Sequence, residues 1–185
     1  PYIKIFLKKY PKIKLKIHTD PSFELVKKVR NGIIDFIILN LPYNTPNDFE
    51  EINLKEIHDS FIAGNKYSEL KNEVIPLEEL NKYPLILLAP GSNTRHFIDD
   101  FCSKININLV PEIELASYSL VTEFTKAELG IGLVTKEFME IEIKKGEVFE
   151  IKTNPKLPSR NIGAIYLKNK TLSSSSKEFI KILKN

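Results

Sequence analysis

Apolar and polar residues alternate along the chain in patterns that predict helices and strands in turn. Residues 1–10 carry apolar side chains at helical spacing and predict an amphipathic helix. In 13–17, apolar residues alternate with lysines, which is typical of a strand with one face in water. The continuous apolar runs at 36–40 and 85–89 predict strands that are covered on both faces, as in a parallel sheet.

The rest of the chain continues this alternation of strands and helices. Further helices are predicted at 22–31, 76–80, 93–105, 119–129, 136–143 and 176–184, and further strands at 52–64, 112–116, 131–135, 148–151 and 161–167. Ser175 and Glu178 have the spacing of a capping box at the start of the last helix. Repeated strand–helix–strand units with short connections predict an α/β fold with a mostly parallel sheet and helices on both faces.

Small polar residues follow the buried strand at 85–89. Ser92, Asn93 and Thr94 stand where that strand ends and the next helix begins. In open α/β sheets, ligands bind beyond the carboxyl ends of the strands, and a helix N-terminus there can hold a small anion through its backbone N–H groups. When these three residues are taken alone, a helix cap and a turn explain them better than a ligand site does.

Polar residues occupy three other junctions of the same kind. Ser117 follows the strand at 112–116, Thr135 ends the strand at 131–135, and Asn40 ends the strand at 36–40. Side chains at the carboxyl ends of several strands can converge on one ligand site. The four junctions together therefore predict a binding cleft, although each residue alone also fits a cap.

Composition and charge exclude several classes of function. The chain has 185 residues and a formal net charge of +3, without the clustered lysines and arginines of a nucleic-acid-binding surface. No apolar run is long enough to span a bilayer. The single cysteine, Cys102, excludes a disulfide framework within the chain, and its place on an apolar helix stripe indicates a buried, inert thiol.

The sequence contains no pattern of a catalytic or metal centre. The three histidines are scattered without the spacing of metal ligands, and no nucleophile elbow, Walker loop or dinucleotide fingerprint occurs. The Gly-x-Gly at 130–132 precedes its strand, which favours the C-terminus of a helix. We therefore predict a protein that is not an enzyme and that has no cofactor and no metal.

Five segments in order resemble the effector-binding domain of LysR-type transcriptional regulators. They are FLKKYPKIKLKI, LVKKVRNGIIDFII, LAPGSNTR, TKAELGIGLVTKEF and AIYLKNKTLSSSSKEFIKIL, which together extend over almost the whole chain. The resemblance implies an α/β fold of two Rossmann-like lobes with mixed, mostly parallel sheets, similar to type 2 periplasmic binding proteins. Residues 1–62 and 163–185 would form lobe I, and residues 63–162 would form lobe II.

The same resemblance implies a sensor of small molecules. A small effector, expected to be an organic anion, would bind in the cleft between the lobes. The carried-over ligand-binding positions are Ser92, Asn93, Thr94, Ser117, Thr135 and Asn40. The first strand of the family, with polar residues of its own, and the winged helix-turn-helix would both precede Pro1 and are absent from this chain. DNA binding is therefore expected only through that absent N-terminal domain.

The resemblance also implies the setting in which the domain works. It predicts a homodimer or tetramer, a cytoplasmic location and no contact with a membrane. The alternative is a solute-binding protein of a transport system, which has the same fold and delivers its ligand to a permease. An N-terminal helix-turn-helix favours the regulator, whereas a signal segment favours the transport protein.

Overall fold

The chain forms two compact units. A computed structural model describes residues 2–184. Unit 1 consists of Pro1–Glu56 and Asn161–Asn185, and unit 2 consists of Ile57–Arg160. The sequence placed the crossings between the units at 62/63 and 162/163. In the structure the crossings fall at 56/57 and 160/161, inside the two long strands Phe49–Ala63 and Ser159–Leu167.

Unit 1 packs helices against a small antiparallel sheet. Its elements are α1 (Tyr2–Lys9), α2 (Ser22–Arg30), β1 (Ile37–Asn40), α6 (Ser174–Leu183) and parts of two long strands, β2 (Phe49–Ala63) and β8 (Ser159–Leu167). Strand β1 pairs antiparallel with β8, with Ile37 opposite Ile165. Phe6 of α1 packs on Phe179 of α6 with ring centroids 4.9 Å apart. Apolar burial of these side chains holds the helices on the sheet.

The strand predicted at 13–17 is not formed. Residues 13–20 have no regular secondary structure, and the side chain of Ile17 is 68% exposed. Alternation of apolar residues decides which face of a strand would be buried, but a strand also needs a neighbour for its backbone N–H and C=O groups. Within residues 2–184, no strand lies beside this segment to provide those bonds.

The cap of the last helix differs from the predicted capping box. Ser173 is the N-cap of α6, and its Oγ accepts a hydrogen bond from the backbone N–H of Ser176 at 3.1 Å. Glu178 instead accepts a hydrogen bond from the hydroxyl of Tyr10 at 2.9 Å. Four consecutive serines offer several similar caps, so a tertiary contact of Glu178 decides where the helix begins.

Unit 2 has the alternating strands and helices that the sequence predicts. Its elements are β3 (Val74–Pro76), β4 (Leu85–Leu88), α3 (Asn93–Lys104), β5 (Ile113–Leu115), α4 (Tyr118–Lys126), β6 (Ile131–Thr135), α5 (Glu140–Lys145) and β7 (Phe149–Asn154). The predicted helix at 76–80 and the first turn of the one at 136–143 are 3-10 helices, at Leu77–Lys82 and Lys136–Phe138. Strand β4 is parallel to both β5 and β6, whereas β2 is antiparallel to β6 and β7. The α/β fold with a mixed sheet is therefore confirmed.

Strand β4 is apolar at every position because helices cover both faces of the sheet. Leu85 and Leu87 belong to the core cluster that contains Cys102 of α3. Ile86 and Leu88 point to the opposite face and belong to the second cluster, which contains Val121 of α4. Successive side chains of a strand face opposite sides, so a strand between two helix layers needs apolar residues throughout.

The thiol of Cys102 is buried, as predicted. Its exposed fraction is 2%, and burial raises the pKa of the Cys102 thiol to about 11, with a further contribution from the charge of Asp99. The thiolate is the reactive form of cysteine, so this side chain stays protonated and unreactive at neutral pH.

Candidate functional site

Two of the predicted site residues cap the helices that follow their strands. Ser92 is the N-cap of α3, and its Oγ accepts a hydrogen bond from the backbone N–H of Arg95 at 3.4 Å. Ser117 is the N-cap of α4, and its Oγ accepts from the backbone N–H of Leu120 at 3.4 Å. A hydroxyl that accepts in this way keeps its own hydrogen to donate to a ligand.

Replacing Ser92 by alanine should lower the free energy of unfolding by about 1 kcal/mol, because the first turn of α3 loses its side-chain acceptor. Urea unfolding followed by circular dichroism measures this change. Ser103→Ala is the matched control, because Ser103 is an exposed serine within the same helix. An equal loss of stability in the two variants would contradict the capping role.

Thr94 and Thr135 meet in a buried cluster with Tyr118. The Oγ1 atom of Thr94 lies 2.6 Å from the hydroxyl oxygen of Tyr118, and Thr135 Oγ1 lies 3.3 Å from the same oxygen. Both threonines are almost fully buried. We call these three residues the hydroxyl cluster. Because β4 and β6 are adjacent and parallel, residues at and just beyond their carboxyl ends are brought together at one edge of the sheet.

A buried arginine–aspartate pair adjoins the hydroxyl cluster. Arg160 donates to Asp59 through Nε, to Oδ2, and through Nη2, to Oδ1 at 2.8 Å. Nη2 also lies 2.9 Å from Thr94 Oγ1 and 3.2 Å from the Tyr118 hydroxyl, and Thr135 donates to Asp59 Oδ1 at 2.9 Å. The forked geometry is that of a strong, charge-assisted pair. One charge pair and three hydroxyl groups therefore form a single polar network inside unit 2.

Arg160 remains a cation in this network. Burial by itself lowers the pKa of the Arg160 guanidinium, but the hydrogen bond and negative charge of Asp59 raise that pKa above its ordinary value. Since Asp59 is equally buried, the two charges cancel locally. A ligand at this place would therefore be recognised mainly by directed hydrogen bonds.

One donor of Arg160 has no acceptor in the structure. The Nη1 atom is buried and makes no hydrogen bond, and the ring centroid of Phe97 lies 5.6 Å from the guanidinium carbon. A buried donor without an acceptor costs about 1–3 kcal/mol, and more when it is charged. A ligand oxygen that accepts a hydrogen bond from this atom would therefore contribute strongly to the free energy of binding.

The two asparagines among the predicted residues belong to different units. Asn93 is the first residue of α3 and is half-buried. Asn40 is the last residue of β1 and belongs to unit 1. Their contact with a ligand stays a prediction.

Over residues 2–184 there is no group of three metal-ligating side chains, and no helix there has the length and apolar character needed to cross a membrane.

The sequence reasoning did not select Asp59 and Arg160 as site residues. Asp59 follows Ile57 in a stretch that then becomes continuously apolar, and Arg160 directly precedes an apolar strand. Two opposite charges at the borders of buried strands can indicate a buried ion pair, because charged residues are rarely buried unless they are paired. Their separation of 101 residues hides the pairing itself from any local pattern.

The comparisons identify the family. The whole chain, residues 1–185, matches the LysR substrate binding domain. The chain belongs to this family. Its fold is that of the LysR effector-binding domains, and the family is not one of enzymes. The resemblance seen in the sequence is confirmed.

Its relatives include regulators that are longer than this chain. The HTH-type transcriptional activator CmpR of Synechocystis sp. is 24% identical over 181 residues, which cover 96% of this chain and 58% of CmpR. The HTH-type transcriptional regulator EstR of Acinetobacter baylyi is 24% identical over 182 residues, with 96% and 58% covered. The chain thus spans little more than half the length of these relatives.

Solved structures of two regulatory domains have the same fold. The CcmR regulatory domain of Synechocystis, in complex with 2-PG, has a TM-score of 0.86 at 19% identity, covering 99% of this chain and 88% of that one. The effector-binding domain of QuiR, in complex with shikimate, has a TM-score of 0.81 at 20% identity, covering 98% and 86%. At these identities the likeness shows the fold alone.

Proposed function

We propose that this chain is the ligand-sensing domain of a LysR-type transcriptional regulator and that unit 2 binds a small organic anion at the hydroxyl cluster. The observation that carries the proposal is the buried Nη1 atom of Arg160, which has no acceptor, while Nη2 of the same guanidinium lies 2.9, 3.2 and 3.4 Å from the hydroxyl oxygens of Thr94, Tyr118 and Thr135. Polar groups that converge in this way at the carboxyl ends of strands are typical of a ligand site.

The chemistry of the site favours a carboxylate or a similar oxyanion. Because Asp59 balances the charge of Arg160, selectivity for an anion would come from hydroxyl and N–H donors rather than from net charge. The helices α3 and α4 begin at Ser92 and Ser117, and their first backbone N–H groups carry partial positive charge. Asn93 and, in unit 1, Asn40 are the further positions that we propose as ligand contacts.

The ligands of similar domains support a small oxygen-rich effector. The CcmR regulatory domain was solved with 2-PG and the QuiR domain with shikimate. We propose that the effector binds one conformation of the regulator more tightly than another and so shifts the population between them. DNA contacts would come from an N-terminal domain outside this chain, in a cytoplasmic homodimer or tetramer. The transport alternative is disfavoured because CmpR and EstR are transcriptional regulators.

Titration calorimetry with 2-PG, shikimate and a panel of other small carboxylic acids tests this proposal. We expect at least one of these acids to bind with a Kd below about 1 mM. Thr135→Val, which removes one hydroxyl of the cluster and keeps the side-chain shape, should weaken that binding about tenfold, equivalent to about 1.4 kcal/mol.

Ser173→Ala is the control for this titration, because Ser173 caps α6 in unit 1 and lies outside the proposed site. Its affinity for the same acid should equal that of the unchanged chain, provided that circular dichroism shows all three proteins folded. Equal binding by Thr135→Val would contradict the site, and no binding by any acid of the panel would contradict the proposed class of effector.

A further inference from the structure

Unit 1 contains a small cavity where the turn after β8 meets α6. Its volume is about 280 Å³, and we call it the lysine cavity. Three lysines line it: Lys168 and Lys170 belong to the turn, and Lys177 belongs to α6. The other lining residues are Ile52, Tyr166, Thr171, Leu172 and Ile180. Within residues 2–184, no aspartate or glutamate lines this cavity.

Two carboxylates close to the lysine cavity are already bound to other groups. Asp48 accepts two hydrogen bonds from the side chain of Arg30, at 2.9 and 2.8 Å. Glu50 accepts a hydrogen bond from the hydroxyl of Tyr166 at 2.5 Å. In the part of the chain that the structure describes, none of the three lysines forms an ion pair with an aspartate or glutamate. The cavity therefore has three positive charges without a paired carboxylate.

The positions of these lysines favour a bound anion. Like charges around one cavity repel each other. Lys177 ends the first turn of α6, where the helix dipole also disfavours a cation. Lys170 lies near the C-terminal end of α2, since a Cβ atom at Gly32 would be 3.3 Å from its Nζ atom. The partial negative charge of that helix end keeps the ammonium group of Lys170 in place. An anion in the cavity would relieve both unfavourable effects.

The charge of unit 1 as a whole also favours anions. Unit 1 has 15 lysines and arginines but only 8 aspartates and glutamates, whereas unit 2 has 12 and 16. The formal net charge of +3 for the whole chain therefore combines a basic unit with an acidic one. A concave surface lined by charges of one sign concentrates ions of the opposite sign. The lysine cavity is such a surface in the basic unit.

The size of the cavity limits the ligand. A water molecule occupies about 30 Å³ in the liquid, so the cavity has room for about nine non-hydrogen atoms. A phosphate group takes up about half of this space, and the rest lies beside the apolar side chains of Ile52, Leu172 and Ile180. A phosphate monoester carries a charge of about −1.5 to −2 at pH 7, so it balances three lysines better than a single carboxylate does.

We propose that the lysine cavity binds the phosphate group of a small phosphate monoester. Lys168 and Lys177 contact the phosphate oxygens, and the hydroxyl of Thr171 donates a further hydrogen bond. Lysine binds phosphate as a point charge, so the apolar lining residues select the carbon part of the ligand. The cavity lies entirely in unit 1. The proposal therefore does not depend on the ligand site of unit 2.

Residue-resolved NMR titration of the 185-residue chain with glycerol 3-phosphate tests this proposal. The amide signals of Lys168, Thr171 and Lys177 should shift together, with a Kd of about 1 mM at low ionic strength. Added salt should raise this Kd, because exposed charges are screened. Glycerate, which has a carboxylate in place of the phosphate group, should bind at least about tenfold more weakly. No shift at these amides, or equal binding of glycerate, would overturn the proposal.

The substitution Lys177→Gln separates the cavity from the general charge of unit 1. It removes one of the three charges and should raise the Kd of glycerol 3-phosphate about fivefold, and Lys168→Gln should act in the same way. Lys184→Gln is the matched control, because Lys184 is an exposed C-cap residue of the same helix and does not line the cavity. It lowers the net charge equally and should leave the Kd unchanged. Circular dichroism verifies that all variants are folded.

Three other results would contradict the proposed site or its ligand. Equal weakening by Lys184→Gln and Lys177→Gln would show attraction by overall charge and not by the cavity. Shifts confined to the amides near Thr94 and Thr135 would place the phosphate in unit 2. A short DNA duplex that binds the same lysines more tightly than glycerol 3-phosphate, at equal phosphate concentration, would replace the monoester by a nucleic acid. Thr135→Val should leave binding in unit 1 unchanged, so the two sites can fail separately.

Discussion

Replacing Arg160 by methionine should lower the free energy of unfolding by about 3–5 kcal/mol, because it leaves the carboxylate of Asp59 buried without its partner. Both side chains of this pair are almost completely buried. Replacing Asp59 by leucine should have an effect of similar size. Urea unfolding followed by circular dichroism, together with amide exchange of β6 as a reporter of unit 2, measures these losses.

The double variant Arg160→Met with Asp59→Leu distinguishes the cost of an unpaired buried charge from the cost of a lost contact. It should be more stable than either single variant, because neither charge is then left alone in the interior. Equal or greater destabilisation in the double variant would contradict this account. It would mean that the pair acts mainly through its hydrogen bonds to the hydroxyl cluster.

An exposed pair with the same geometry provides a matched control. Arg30 donates to Asp48 through Nε at 2.9 Å and through Nη2 at 2.8 Å, but about half of each side chain is exposed. Exposed ion pairs are screened by water and contribute little to stability, so Arg30→Met should cost much less than Arg160→Met. A loss as large as that of Arg160→Met would show that burial is not the cause.

Replacing Gly132 by alanine should lower the free energy of unfolding by about 1–3 kcal/mol, because the added methyl group overpacks the contact between β6 and α4. A Cβ atom at position 132 would lie 2.1 Å from Thr125 Oγ1 and 3.1 Å from Val121 Cγ1. Thr125 is fully buried, and its hydroxyl donates to the carbonyl of Val121, so it has little freedom to move. Thermal and urea unfolding measure the loss.

The second substitution Thr125→Ala is the internal control for this clash. It removes the oxygen that the new methyl group would meet, so Gly132→Ala should cost less in the Thr125→Ala background than in the unchanged chain. The remaining contact with Val121 predicts a partial rescue. Purely additive losses would show that the cost comes from backbone conformation and not from the contact with Thr125.

The sequence predicted most closely those helices and strands whose apolar pattern and limits are both marked by neighbouring residues. Strand β6 occupies the predicted 131–135, and β4 and α3 end within one residue of their predicted limits. In each case a continuous apolar run or a clear helical stripe is bounded by turn or cap residues. The positions of Ser92 and Ser117 before their helices follow from the same signals, and the structure gives both the role of N-cap.

The sequence predicted those site residues that lie at or just beyond the carboxyl ends of strands, because the topology of the sheet brings these positions together. Thr94 and Thr135 were selected because they follow or end strands, and parallel neighbours bring their carboxyl ends to one edge of a sheet. The network between them also depends on Tyr118, Asp59 and Arg160. These contacts join side chains from five segments, and no periodicity within one segment reports them.

The sequence by itself determined the α/β class and the junctions where polar residues meet buried strands, because these depend on short-range patterns of apolar and polar residues. The family followed from the resemblance of five ordered segments. Tertiary structure alone decided three things: which serine caps α6, whether 13–17 forms a strand, and which charges are buried together. Each of these depends on a partner that is distant in sequence, such as Tyr10 for Glu178 or Asp59 for Arg160. A strand or a buried charge is stable only with its partner, and several equivalent caps differ only in their tertiary contacts. The local sequence pattern therefore does not predict which of these arrangements forms.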